Sequence, residues 1–262
     1  MKLHITEDVL EKVQVARKED LLELQIDERV NAMLFVTYDG LDAKQRVNIL
    51  LQPGSKLKVL LKNNSTSDIQ LDIEAFVHKD AFLEFAYCDL DPSSSTIDGM
   101  VHLCEEGANC DIKSACIVEG KKHFKVAIEH ATPYTTGTME HYAVVKEHGN
   151  YHMEAIGKIN KGAHDSVSHQ TTRVLTMSEQ HNSEVVPLLL IDENDVKASH
   201  ATTLGQPDAN QLYYLQTRGL TREQALGLLS VGYIMPIAQM FDHEEWKNEL
   251  KNEIEMKVGL HA

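Results

Sequence analysis

Nothing in this chain is apolar for long enough to cross a bilayer; its apolar residues come in short groups broken by charge. The opening MKLHITEDVLEKV has no apolar core and carries acids early, so it is not a secretory leader, and a cytosolic protein is expected. Basic residues are outnumbered, 25 Lys and Arg against 40 Asp and Glu, for a formal net charge of −15. A nucleic-acid backbone needs clustered cations, so nucleic-acid binding is not expected. Aromatics make up 6%, with a single tryptophan. That is sparse for a sugar-binding groove. There are four cysteines, Cys88, Cys104, Cys110 and Cys116, but no C-x2-C pair. A structural zinc or preformed cluster site is therefore poorly supported, and reduced, buried thiols are expected. The even spacing of the last three also fits stacked coils.

Several catalytic signatures are missing as well. The chain has no G-x4-G-K-[ST], no G-x-G-x-x-G opening a helix, no G-x-S-x-G and no H-E-x-x-H. No nucleotide is expected to bind it through a phosphate loop. The fourteen histidines include His148/His152 and His164/His169. These sit in strand-and-turn sequence, where hydrogen-bonding loop histidines are the simpler reading than a metal site. Forty acids make paired carboxylates commonplace, and no acid/base couple stands out.

What is present divides the chain in three. Residues 1–20 mix charged and apolar positions and fit either a short helix or an edge strand. Residues 21–204 show period-two alternation in short runs, such as LKVLL (57–61), IQLDI (69–73), FKVAI (124–128) and LLLI (188–191). Such runs are half-buried strands. Polar clusters such as DPSSS (91–95), EEGAN (105–109) and NKGA (160–163) separate them as turns. Many short strands without intervening helices fit a sandwich or a solenoid of stacked coils. The only repeat is weak, a polar-Gly step at Gly107, Gly149 and Gly162. The pattern alone leaves the two architectures open.

Residues 205–262 change period. Asp208 suits a helix N-cap and Gly219 a C′ position. Thr221 and Gln224 form a capping box. Ala225, Leu226, Leu228 and Leu229 make an apolar stripe, and Pro236 breaks or kinks that helix. Asp242 with Glu245 is a second capping-type pair. Trp246, Leu250, Ile254 and Val258 recur every fourth residue on one face. These helices are expected to pack on the last strands or to face a partner.

The junction KASHATTLGQPDANQLYYLQTRGL (197–220) closes a longer series of motifs. It is preceded by VEGKKHFKVAIEHATPYTTGTMEHYAVV from Val118, with His130 and Pro133 at a corner. GKINKGAHDSVSHQTTRVLTMSE follows, with Gly157, Gly162, Ala163, Gln170, Arg173 and Leu175 at pattern positions. In order and spacing this series resembles the SufB/SufD family, the scaffold components of the SUF iron–sulfur cluster assembly machinery. The resemblance covers more than half the chain and little of its first third. It implies a mainly β fold: a right-handed parallel β-helix with a C-terminal helical segment. It also implies a non-enzymatic scaffold that pairs with a SufB-type chain or with itself through the β-helix, and that docks a SufC-type ATPase through the helices. Tyr213, Arg218 and Gly219 are the docking candidates, although Tyr213 and Tyr214 are more simply read as packing residues and Arg218 as a residue complementing a helix end. A transient iron–sulfur cluster at the interface is implied, with His200 as the residue facing it or its metal. K-A-S-H at 197–200 is closer to SufD than to SufB. Ala198 stands where SufD carries cysteine, and no cysteine lies near Thr172–Ser178 as in SufB, so sulfur would come from a partner. The N-terminal helical domain of many members is missing or reduced. Two other functions fit the residues less well: a carbohydrate-active β-helix enzyme, and a standalone homodimer binding metal through its histidines.

Overall fold

The computed structural model describes residues 1–15, 20–38, 44–65 and 67–259. Its strands are β1 (Lys2–Ile5), β2 (Val9–Val15), β3 (Leu21–Ile26), β4 (Asn31–Tyr38), β5 (Lys44–Leu51), β6 (Lys56–Asn63), β7 (Ile69–Val77), β8 (Phe82–Asp89), β9 (Ser95–Leu103), β10 (Asn109–Val118), β11 (Lys121–His130), β12 (Thr136–Val145), β13 (Asn150–Ile159), β14 (Val167–Thr176), β15 (Asn182–Ile191) and β16 (Lys197–Gly205). Odd strands form one eight-stranded sheet in chain order and even strands form the other. Every pairing is parallel. Each coil thus contributes one strand to each sheet, and the result is a β-solenoid. This settles the choice that alternation left open, because a sandwich of hairpins would pair its strands antiparallel. The N-terminal strands join the solenoid, since β1 pairs with β3 and β2 with β4.

Inward side chains form one apolar core from Val13 to Val174. The weak sequence repeat has a structural cause. Corresponding positions drift from coil to coil: Ile69 faces Ser95, Ser95 faces Lys122, Tyr151 faces Lys122 and Ser183 faces Tyr151. The steps are therefore 26, 27, 29 and 32 residues. Gly107 and Gly162 lie at corners leading into even strands, whereas Gly149 lies at a corner leading into an odd strand, so the apparent repeat mixed two kinds of turn. Cys104, Cys110 and Cys116 fall within a single coil on β9–β10, so their spacing does not report stacking.

The chain ends in helices α1 (Ala209–Thr217), α2 (Arg222–Ile234) and α3 (Glu244–Lys257), with a 3-10 helix, Met235–Met240, around Pro236. Asp208 caps α1 through Asn210 and Gln211, and Gly219 adopts φ 96° just beyond it. Thr221 and Gln224 exchange the capping-box bonds. The cap of α3 is His243, whose ring accepts from Trp246 N–H, and not Asp242. Asp242 instead pairs with Lys58 at 3.1 Å.

The helices do not rest on the last strands alone. They cover the outer face of the even sheet from Phe35 to Leu175. Beneath them the ends of β10 (Ala115–Val118) and β12 (Tyr142–Val145) are buried on both faces, so alternation gives way to continuous apolar runs there. Trp246 anchors α3 against Phe35 and Phe241, with ring centroids 5.9 and 5.3 Å apart. Ion pairs of Lys62 with Glu253, Lys12 with Glu249 and Lys257 with Asp91 fix its remaining length. On α2 the buried residues are Ala225, Gly227, Ser230, Val231 and Ile234, while Leu228 of the expected stripe is exposed.

Candidate functional site

The solenoid ends in an open coil made of β15 and β16, which have a strand neighbour on one side only. Along β16 almost every residue is exposed. Backbone N–H groups along a parallel strand point alternately to its two edges. Lys197 N–H bonds back to Ser166 O at 3.0 Å, so the N–H groups of Ala198, His200, Thr202 and Leu204 point to the free edge. Asn182 N–H at the start of β15 bonds to Gly149 O just before β13, and Asp192 N–H just past β15 bonds to Ile159 O, which puts Pro187 among the free-edge positions, where no N–H is needed.

His200 lies on β16 in register with Gln170. Gln170 faces the solenoid interior and donates from Nε2 to Leu188 O at 2.9 Å. His200 therefore shares that inward face at the mouth of the last coil, exposed because no further coil covers it. Its neighbours in the fold are polar: β14 turns Ser168, Gln170 and Thr172 inward, all buried. Two more histidines lie deeper. His141 Nδ1 meets Ser114 Oγ at 2.8 Å, and His130 Nδ1 meets Thr135 Oγ1 at 2.8 Å. Burial pushes their pKa values down, to about 3 for His141 and about 4 for His130. Among the described residues, His130 Nε2, His141 Nε2, Ser168 Oγ and Gln170 Oε1 have no hydrogen-bond partner. The interior changes from apolar to polar toward the open end. Of this lining the sequence marked Gln170 and the corner residue His130, but not their inward orientation.

The other candidates are separate from His200. Tyr213 is 71% exposed and Tyr214 56%, and α1 buries none of its residues, so the tyrosines do not pack within the monomer as the sequence suggested. The Arg218 guanidinium lies 5.0 Å from the Tyr214 ring centroid, a cation–π contact at the end of α1. Gly219 has open space where a side chain would be. No hydrogen bond, ion pair or ring contact joins His200 to Tyr213, Arg218 or Gly219 among the described residues.

The thiols offer no acceptor at the open end. Cys88, Cys110 and Cys116 are buried, and burial pushes each thiol far above its ordinary value. Partly buried Cys104 is also raised, mainly by desolvation. Among the described residues no group of three or more His, Cys, Asp or Glu is arranged to hold a metal. A single imidazole at an open edge offers one ligand, so a metal there needs further ligands from another chain. The histidines of the two sequence pairs make local bonds: His152 with Glu184 at 3.0 Å, His164 with Asp165 at 2.8 Å and His169 with Ser199 at 2.7 Å. No helix is long and apolar enough to cross a membrane among the described residues.

A buried ion pair lies inside the solenoid, away from the open end. Lys122 Nζ and Asp89 Oδ2 meet at 2.8 Å with neither side chain exposed, and Lys122 also donates to Asp91 O at 2.9 Å. It belongs to the packing of the middle coils and lies strands away from His200.

Residues 19–233 match the sequence model described as SUF system FeS cluster assembly, SufBD core domain. The chain is 32% identical over 182 residues to the iron-sulfur cluster assembly protein SufD of Bacillus subtilis, a match covering 69% of this chain and 42% of that protein. It is 31% identical over 129 residues to an iron-sulfur cluster assembly SufBD family protein of Mycobacterium tuberculosis, covering 49% of this chain and 15% of the relative. To the SufB of Bacillus subtilis it is 24% identical over 133 residues, covering 50% and 29%. In each of these matches the chain spans less than half of the relative's length.

Proposed function

Because the chain belongs to the SufBD core family of the SUF system, we propose that it is a non-catalytic scaffold subunit in iron–sulfur cluster assembly. In this reading the open coil pairs with a SufB-type chain or with a second copy. The exposed face of α1 and its end, with Tyr213, Arg218 and Gly219, docks a SufC-type ATPase. The ATPase brings the nucleotide chemistry for which this chain has no phosphate-binding loop. The nascent cluster is cargo at the paired end, His200 is this chain's ligand toward it, and the complex is cytoplasmic.

The observation that carries the reading is the position of His200, an accessible imidazole on an unpaired edge at the mouth of a polar interior. An unpaired edge strand is a template for another strand, and placing a ligand there makes the joint between chains the site. The thiol chemistry supports a division of labour. Persulfide sulfur needs a thiolate acceptor, and this chain's thiols are wholly or partly buried and hard to ionise. Sulfur then arrives on the partner while this subunit adds nitrogen.

The test is anaerobic co-purification with SufB- and SufC-type partners, reading complex mass, iron and sulfide for the native chain and for His200→Ala. The expected result is a stable complex in both cases, with iron and sulfide lost from the variant. A chain that stays apart from both partners, or a variant complex that keeps its iron and sulfide, overturns the reading.

A further inference from the structure

We propose that Gln170 is the positioning partner of His200. Its free carboxamide oxygen accepts from one imidazole nitrogen, fixes the tautomer, and leaves the other nitrogen unprotonated and turned toward the open end. The inference rests on the reading of His200 as a ligand for cargo, and it names what prepares that ligand.

Three observations carry it. First, His200 and Gln170 are register partners on β16 and β14, so their side chains stand on one face about 4.8 Å apart at the backbone. Second, the orientation of the Gln170 amide is set by the protein. Leu188 O is an acceptor only, so the amide nitrogen must face it, and the bond of 2.9 Å points the oxygen elsewhere. That oxygen has no partner although the residue is 3% exposed. A buried acceptor without a donor is costly, so a donor within reach is strongly favoured. Third, the unpartnered donors of the interior, the Ser168 hydroxyl and the His141 ring, do not bond that oxygen where they stand. On the other side Gln170 is in register with Met139, which has no side-chain donor. His200 is exposed, and no hydrogen bond restrains its ring among the described residues. A turn of its side chain toward the interior brings an imidazole N–H to the amide oxygen.

The chemistry follows from the two ring nitrogens. A neutral imidazole has one N–H and one lone pair, and the hydrogen bond made by the first decides where the second points. Histidines that ligate metals generally donate their other N–H to a carbonyl or carboxylate, which fixes the ring and raises its basicity. A carboxamide oxygen gives the same orientation without adding charge to an already acidic chain. Without it His200 would interconvert between tautomers at an exposed edge and present the wrong nitrogen part of the time.

The experiment uses the full chain without metal or partner, with histidine labelled with ¹⁵N in the ring and the His200 signals assigned by their loss in His200→Ala. The native chain is expected to show one tautomer of His200 favoured by about tenfold, the bias given by one net hydrogen bond of ordinary strength. Gln170→Leu should abolish that bias. A Gln170 that only packs the interior would change the denaturation midpoint without moving the tautomer ratio. The proposal is overturned if the native chain shows no bias, or if Gln170→Leu, still folded by circular dichroism, leaves the bias unchanged. Because this readout needs no cluster, it separates the two ideas: a pair intact here alongside a His200→Ala complex that keeps iron and sulfide sinks the ligand reading and leaves the pair standing.

Discussion

The interior histidines make the fold sensitive to acid. His141 and His130 are buried as neutral rings, with pKa values pushed down by desolvation to about 3 and about 4 from an ordinary 6.5. The unfolded chain takes up their protons first as pH falls. Their contribution to stability is therefore complete above about pH 6.5 and is lost progressively below it, until the folded-state values are reached. At pH 5, about 1.5 units below the ordinary value, each ring has lost about 2 kcal/mol relative to neutral pH. Glu129 does not counter this: Lys158, Asn160 and His102 hold its pKa down to about 2, so it stays ionised across that range. Urea midpoints measured from pH 7.5 to 5 should fall steadily, and His141→Gln should flatten the slope by about half. An unchanged slope in that variant would place the acid sensitivity elsewhere. Neither ring was legible as buried in the sequence, where fourteen histidines in a strongly acidic chain look like surface residues. Only the coil geometry turns them inward.

At the scale of the element, most helix ends and the polar segments that form the corners were legible, and the repeat of the corners was not. The cap at Asp208, the capping box at Thr221 and the helix stop before Pro236 all stand where residue chemistry placed them. They are local, decided within four residues. The corners also repeat, but in backbone conformation: each odd-to-even corner from β3–β4 to β13–β14 has a left-handed residue, at Arg29, Gly54, Asp80, Gly107, Tyr134 and Asp165, with Gly162 a second one at the last. Their amides are linked in succession along the solenoid, with Arg29 N–H bonding to Pro53 O, Gly54 N–H to Lys79 O and Asp80 N–H to Glu106 O. Besides Gly162, only Gly54 and Gly107 of this series are glycines, so the repeat carries no fixed residue type. It survives elsewhere because the stacked coil holds Arg29, Asp80 and Tyr134 in a conformation that side chains ordinarily avoid. Gly107 uses its freedom, with φ 78° and the Asp80 carboxylate filling the space of a side chain. Gly107→Ala forces that carboxylate aside and leaves the left-handed backbone strained, so stability should fall by about 1–2 kcal/mol. A loss near zero in chemical denaturation would show that the neighbouring coils absorb the strain, as they do at Tyr134. The candidate site was marked in the same uneven way. His200 stood out through its place in an ordered series of motifs, whereas the face it shares and its register with Gln170 depend on pairing between residues 30 apart in the chain.

Across the whole molecule the outer face of the even sheet and the open end coils of the solenoid are treated differently. Helices α2 and α3 seal the outer face of the even sheet, fastened by Trp246 and the ion pairs of Lys12, Lys58 and Lys62. The final coil has no such cover. Proteins usually blunt an open edge with proline, charge or a capping element. Here β15 carries Pro187 among its free-edge positions, but β16 carries none, and its free-edge positions Ala198, His200, Thr202 and Leu204 all have an N–H to offer. The asymmetry singles out β16 as the strand able to accept another chain's carbonyls, directly beside the imidazole of His200. Thr202→Pro tests this at small structural cost. It removes one outward N–H and puts a ring in its place, while the bonds of β16 back to β14 come from the alternate residues Lys197, Ser199, Ala201 and Thr203. If β16 is the joint, the variant should keep its circular dichroism and its denaturation midpoint within a few tenths of a kcal/mol. It should still bind a SufC-type ATPase through the helices, yet fail to pair at its end coil in native mass spectrometry. Retained pairing in a folded variant would move the joint away from this edge, and would leave His200 facing solvent rather than a second set of ligands.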